Sequence, residues 1–198
     1  PVDGLPQGFD RVIGCDGANS ATRKSLDMKS PDLRLGIQGF VPHADNSNYV
    51  ETWAVKNGFI WRIPRGQETE YGVISDLKSA QPLLKEFLAK NNILIERTAS
   101  ALIPQGLVIP KNNSVTLCGD AAGLTKPWSG GGVIWGLVAS QMLLKSFPDL
   151  VKYQYMAKRF FSPRIAFSRF AVKIAYFLGF KVPWLLPKHL KIESDFLI

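Results

Sequence analysis

The sequence predicts an α/β protein carrying an α+β insertion. Three observations predict it. Two strand-to-turn-to-helix corners stand far apart, "IGCDGANSATRKSL" at residues 13–26 and "LCGDAAGLTKPWSGGGVIW" at residues 117–135. Between them the texture changes to short apolar runs punctuated by turn residues, the pattern of antiparallel strands. Both corners would lie at the carboxyl ends of strands, where ligands of α/β sheets bind. The two strands are therefore expected in one sheet, with Asp16 and Asp120 opening onto a shared cleft.

In chain order, residues 9–14 read as a short buried strand, Asp16-Gly17 turns it, and residues 20–25 form the first turn of a helix. Residues 34–41, 49–55, 59–64 and 71–76 are four strand-like runs. Asn57-Gly58 is the strongest hairpin signal, because that pair suits a type I′ turn. Ser79 fits as the cap of a helix reaching Lys90, with Leu83, Leu84, Phe87 and Leu88 on one face. Residues 93–103 are extended, and residues 107–110 lead to a strand at 115–118. The division expected is a cofactor-binding part at 1–31 and 111–146, an antiparallel-sheet substrate domain at 32–110, and a basic helical region at 147–198.

Length and composition bound the reading. A chain of 198 residues, 46% hydrophobic, fits one domain or one and part of another. The first residues show neither the basic start nor the apolar run of a secretory signal. With no initiator Met, the chain is expected to be a piece of a longer one. Its two cysteines, Cys15 and Cys118, have no metal-type spacing and are expected to be buried core thiols in a reducing, cytoplasmic setting. His43 and His189 lack ligand partners nearby in sequence, so no metal is expected. Seven of the eight net positive charges fall in residues 145–198, which argues against nucleic-acid binding by the main body.

The stretch from Pro127 to Leu144 has no charge and is long enough to suggest a membrane span. Pro127 and the glycines Gly130, Gly131 and Gly132 argue otherwise, since glycine costs about 1 kcal/mol and proline about 3 kcal/mol inside a helix. The strong helix formers begin only at Val133. The order is thus strand, acidic turn, loop, glycines, helix. Glycines let a ligand approach the backbone closely. Unpaired N–H groups at a helix start favour an anionic or electron-rich partner. Asp120, just after a strand, can accept hydrogen bonds from ligand hydroxyls. A tight strand-to-helix connection without any ligand remains the plain alternative.

The two corners together resemble the flavoprotein monooxygenases and their reductase relatives. Asp16, Gly17, Ser20 and Arg23 fit that family's D-G-x-x-S-x-x-R fingerprint. Gly119, Asp120, Ala121, Ala122, Pro127, Gly130 and Gly132 fit its second fingerprint, G-D-A-A-x-x-x-x-P-x-x-G-x-G. Within the superfamily the chain looks like the geranylgeranyl reductases, whose inserted sheet carries an aromatic-x-Trp-x-aromatic-Pro segment. Phe59, Trp61, Pro64 and Gly72 resemble it, whereas Ile63 and Ile74 replace an aromatic and a glycine of that pattern.

The resemblance implies FAD bound in an extended form. It places Asp16, Gly17, Arg23, Gly119, Asp120, Ala121, Pro127, Gly130, Gly131 and Gly132 at the cofactor, and Phe59, Trp61, Pro64 and Gly72 at the substrate. The aspartate matching Asp120 would bond the ribityl or pyrophosphate part, and the glycine N–H groups would face the isoalloxazine edge. The G-x-G-x-x-G unit that grips the ADP half follows no strand here, so this chain alone is expected to hold FAD weakly. No catalytic acid or base stands out, and the electron donor is not indicated. The implied activity is reduction of isoprenoid double bonds in a lipid or lipid precursor. The alternatives are an aromatic monooxygenase or halogenase on the same scaffold, and a non-enzymatic lipid- or protein-binding module.

The C-terminal quarter adds one expectation. Ser162-Pro163 reads as a helix start, after which Ala166, Phe167, Phe170, Ile174, Phe177 and Leu178 share one arc, with Arg164, Arg169 and Lys173 outside it. Pro183-Trp184 and the basic Lys188 and Lys191 follow. Such a stretch suits peripheral contact with a membrane surface, or internal packing against the nucleotide-binding unit or over the substrate cavity.

Overall fold

The chain runs β1 (Val12–Gly14), α1 (Ala21–Ser25), β2 (Asp32–Val41), β3 (Glu51–Val55), β4 (Gly58–Pro64), β5 (Thr69–Asp76), α2 (Ala80–Lys90), β6 (Arg97–Gln105) and β7 (Val115–Leu117). A 3-10 turn (Gly119–Ala122), α3 (Val133–Ser146) and α4 (Leu150–Lys181) complete it. The computed structural model describes residues 5–182 and 184. They form two compact units, one built from the two ends of the chain, up to Asp32 and from Pro104 on, the other spanning Leu33–Ile103.

The inserted unit is a five-stranded sheet in the order β3-β4-β5-β2-β6. The pairs β3–β4, β4–β5 and β2–β5 are antiparallel. Helix α2 lays Leu84 and Leu88 on one sheet face, where Ile60 and Val73 meet them and Leu83 and Phe87 pack alongside. Trp53 and Phe87 close that core, with ring centroids 4.8 Å apart. Ser79 stands at the helix start but makes no side-chain capping bond. The apolar face holds α2, as it does for most short helices.

The hairpin differs from the expected one. Val55 pairs with Gly58, so the two-residue loop is Lys56-Asn57, and Asn57 takes the left-handed conformation at φ 54°. Gly58 is already in β4, where a Cβ would overlap the carbonyl oxygen of Ile74. Its glycine answers a close backbone approach and not the turn.

In the other unit β1 and β7 pair in parallel, with Val12 opposite Val115 and Gly14 opposite Leu117. The expectation that both corners leave one sheet holds. Their core gathers Leu117, Ala121, Ala122 and Leu124 with Trp135, Ala139 and Leu143 of α3 and Leu150, Tyr153, Ala157, Phe161 and Ile165 of α4. The first half of α4 therefore shares this core and is not a separate C-terminal region. The sheet segment also returns at Pro104, short of residue 111.

Helix α4 does not begin at Ser162. Asp149 caps it, its Oδ1 accepting from the Lys152 N–H at 2.9 Å, and the helix continues through Pro163. A proline inside a helix removes one backbone bond. Here the buried stripe runs from Leu150 to Ser168 on both sides of it, and the Arg164 guanidinium donates to the Phe160 carbonyl at 2.9 Å. Continuous packing outweighs the local break. Beyond Ile165 the arc turns outward, leaving Phe167, Phe170, Ile174, Phe177 and Phe180 exposed. Among the described residues no helix is long and apolar enough to cross a membrane. Pro183, Lys188, His189 and Lys191 lie outside the described residues.

Candidate functional site

Parallel pairing sets the ends of β1 and β7 side by side, and each strand leaves through a glycine with positive φ, Gly17 at 78° and Gly119 at 61°. Gly14 permits close packing at the first end, because a Cβ there would come within 2.7 Å of Leu117 and Thr22 side-chain atoms.

Asp16 organises the first turn. Its carboxylate accepts from the Ser20 hydroxyl at 2.6 Å and from the Thr22 N–H at 2.9 Å, while Ser20 Oγ accepts from the Arg23 N–H. Burial pushes the Asp16 pKa up, but these hydrogen bonds outweigh it and hold the group below the ordinary carboxylate value. Asp16 is thus a cap for α1 and is not among the residues lining the cleft described below.

Arg23 joins the two corners. It is 1% exposed, and its guanidinium donates to the Ala121 carbonyl at 2.7 Å and the Ala18 carbonyl at 2.6 Å. Desolvation lowers its pKa, with Asp16 pulling the other way. In this position Arg23 ties α1 to the 3-10 turn from inside the fold. Ala121, fully buried, contributes its carbonyl to that tie and presents no surface to a ligand.

The second corner makes a cleft of about 330 Å³, lined by Gly119, Asp120, Gly132, Val133, Gly136 and Leu137. A Cβ on Gly132 would lie 2.7 Å from Asp120 Oδ1, so the absent side chain lets the carboxylate sit against the start of α3. Partial desolvation there raises the Asp120 pKa above the ordinary value. No side chain caps α3, so the N–H groups of its first turn lack intrahelical acceptors.

Of the three glycines, only Gly132 lines this cleft. The Gly130 N–H donates to the Lys126 carbonyl at 2.8 Å and the Gly131 N–H to Ser129 Oγ at 3.3 Å, closing the loop on itself. Pro127 is buried within that loop. Trp135 is fully buried in the core, and Trp128 meets it edge-on at 6.2 Å. Gly136 was missed in the sequence, although it stands four residues from Gly132 and so on the same helical face.

In the inserted unit, Phe59 and Trp61 occupy the face of β4 opposite to Ile60, away from α2, with ring centroids 5.8 Å apart. Trp61 lies over Gly72, where a Cβ would collide with the indole. Gly72 is therefore covered by Trp61 and supports it. The Trp61 indole N–H donates to Glu70 Oε1 at 2.7 Å, and Arg65 pairs with Glu70 Oε2 at 2.7 Å. Glu70 carried no sequence signal, and Arg65 only that of a turn with Gly66. Pro64 pairs with Thr69 at the end of β4. Among the described residues no group of histidines, cysteines and carboxylates could hold a metal ion.

No family model matches the chain. It is 23% identical over 185 residues to an uncharacterised protein of Methanosarcina barkeri, covering 85% of this chain and 47% of that one. Among solved structures it is similar to a geranylgeranyl bacteriochlorophyll reductase-like protein from Thermoplasma acidophilum, at 19% identity and a TM-score of 0.66, covering 79% of this chain and 48% of that one. It is also similar to a flavin-dependent halogenase from Xanthomonas campestris, at 19% identity and a TM-score of 0.56, over 77% of this chain and 35% of the other. A tryptophan halogenase from Shewanella frigidimarina gives 18% identity and a TM-score of 0.57, over 78% and 34%. The chain spans less than half the length of each. These likenesses establish the fold: a mixed α/β architecture with an antiparallel sheet and C-terminal helices, shared with flavin-dependent enzymes.

Proposed function

We propose that this chain supplies the flavin-side half of an FAD-dependent oxidoreductase that reduces isoprenoid double bonds in a lipid or lipid precursor. The observation that carries the reading is the parallel pairing of β1 with β7, which brings the two separate fingerprints to adjacent strand ends. The residues at the second end fit the cofactor. Asp120 stands where it can accept a hydrogen bond from a ribityl hydroxyl, and Gly132 provides a cradle that any Cβ would fill. The first-turn N–H groups of α3 suit the electron-rich edge of the isoalloxazine, and the positive end of the helix favours negative charge there. FAD, when bound, supplies the hydride chemistry.

Around it, this chain's residues have positioning roles. Asp16 and Arg23 hold the two turns together. In the inserted unit, taken by itself, the sheet face at Phe59 and Trp61 offers partly exposed aromatic surface suited to a hydrophobic small molecule. A flavin-dependent halogenase is the second reading, favoured by the likeness to several such enzymes.

The protein in its full encoded length is expected to purify yellow, and Asp120→Ala to lower its FAD affinity by about 1–3 kcal/mol through lost hydrogen bonds. Unchanged flavin occupancy would remove Asp120 from the site. Anaerobic reoxidation of the reduced protein by an isoprenoid alkene supports the reductase. Product formation that needs oxygen and halide supports the halogenase instead.

A further inference from the structure

The expectation of two buried core thiols fails at Cys15, which is exposed, whereas Cys118 is buried. The ladder between β1 and β7 ends on Gly14 opposite Leu117, and the Cys118 N–H donates to the Gly14 carbonyl at 2.9 Å. Cys15 and Cys118 are therefore the next opposed pair. Residues in register point to the same face, and neighbouring strands lie about 4.8 Å apart. That separation falls within the Cα–Cα range of a disulfide, about 4.4–6.8 Å.

The surroundings of Cys118 are polar for a core position. Ser140 Oγ lies 3.7 Å from its Sγ, and the Tyr153 hydroxyl donates to the adjacent Leu117 carbonyl at 3.1 Å. The neighbouring Cys15 thiol, ahead of Ser140 and Tyr153, outweighs burial and brings the Cys118 thiol down to about 6, while Cys118 in turn raises Cys15. The pair thus gives up its first proton at Cys118. A thiolate held beside a second, accessible sulfur is the arrangement from which disulfides close.

We propose that Cys15 and Cys118 form a redox-active pair that closes, on exposure to a peroxide, into a disulfide across the ends of β1 and β7. The Cys118 thiolate attacks hydrogen peroxide and takes one oxygen, giving a sulfenic acid, and the hydroxide released takes up a proton as one water. The Cys15 sulfur then attacks that sulfur and gives up its proton, the S–S bond forms, and the expelled hydroxide takes up that proton as a second water. Two thiols are oxidised by two electrons and one peroxide is reduced to two waters. The bond clamps together the strand ends from which the Asp16 and Asp120 turns depart. The inference needs only the strand register and holds whether or not FAD binds.

Peptide mapping without reductant, after graded peroxide treatment of the folded full-length protein and alkylation, tests it. The expected product is one peptide joining Cys15 to Cys118, lighter by two hydrogens than its parts and separated again by dithiothreitol. In denaturant the same link is expected to form at least about tenfold more slowly, because the fold no longer holds the sulfurs together. Cys15→Ser should leave a sulfenic acid on Cys118 that dimedone traps when the protein is unfolded in its presence, and Ser140→Ala should slow closure several-fold. Separate sulfinic acids on the two cysteines, disulfides between molecules, or equal rates in folded and denatured protein would each overturn the proposal.

Discussion

Replacing Arg23 by Met tests whether the two corners are held together from within the fold. The guanidinium donates to two carbonyls, at 2.7 Å to Ala121 and 2.6 Å to Ala18. Ala121 is fully buried, so its carbonyl would lose its side-chain donor where water does not reach, a loss of about 1–3 kcal/mol. The Ala18 bond is only partly buried, and water can replace much of it, which adds about 0.5–1 kcal/mol. Opposing this, Met no longer buries a charge whose Nε has no acceptor, which returns about 1 kcal/mol. The net expectation is a loss of about 0.5–3 kcal/mol.

Urea unfolding followed by far-UV circular dichroism reads this directly. With a slope of about 2 kcal/mol per molar, the midpoint should fall by about 0.25–1.5 M at unchanged slope. Arg23→Lys, whose single ammonium can reach one carbonyl at a time, should lie between the two. Hydrogen exchange should quicken at residues 119–122 in the Met variant. A midpoint within about 0.2 M of wild type would refute the tie between the corners.

Other perturbations separate stability from binding. Gly132→Ala should change stability by less than about 1 kcal/mol, because Asp120 Oδ1 can swing away from the new Cβ, yet it should weaken flavin binding as Asp120→Ala does. Titration with FAD beside a melting curve checks both. The two aspartates should respond oppositely to pH. Asp120, whose folded pKa is raised, stabilises most below its unfolded value near about 4 and loses that contribution as pH rises through the folded value. Asp120→Asn should therefore gain in melting temperature over wild type between about pH 4 and pH 7. Asp16, whose folded pKa is lowered, contributes above about pH 4 and loses it as pH falls through the folded value. Asp16→Asn should accordingly be less stable at neutral pH and approach wild type in acid. Finally, the exposed Phe167, Phe170, Ile174 and Phe177 beside basic residues lead us to propose peripheral binding to a membrane surface. Co-sedimentation with anionic vesicles should fall as salt rises, with screening over about 10 Å at 0.1 M, and absence from anionic and neutral pellets alike would assign the stripe to internal packing.

The sequence by itself determined what depends on local chemistry. Most strands and helices up to α3 were legible because period and turn residues act over a few positions: Leu83, Leu84, Phe87 and Leu88 announce an apolar face before anything packs on it. The two fingerprints were legible as well, since the order Asp16-Gly17 and Gly119-Asp120 is written in the chain. Contacts across sequence distance were left to the tertiary structure. It seated Arg23 on Ala121, ninety-eight positions away, making it a strut between the two corners. It covered Gly72 with Trp61, spent the Gly130 and Gly131 N–H groups inside their own loop, and made Gly58 a point of close approach to Ile74. It also carried α4 through Pro163, where local propensity predicts a start. The physical reason is the same in each case. A side chain's role depends on what lies within a few ångströms of it, and packing between distant segments sets that neighbourhood, outweighing the small energies that local pattern encodes.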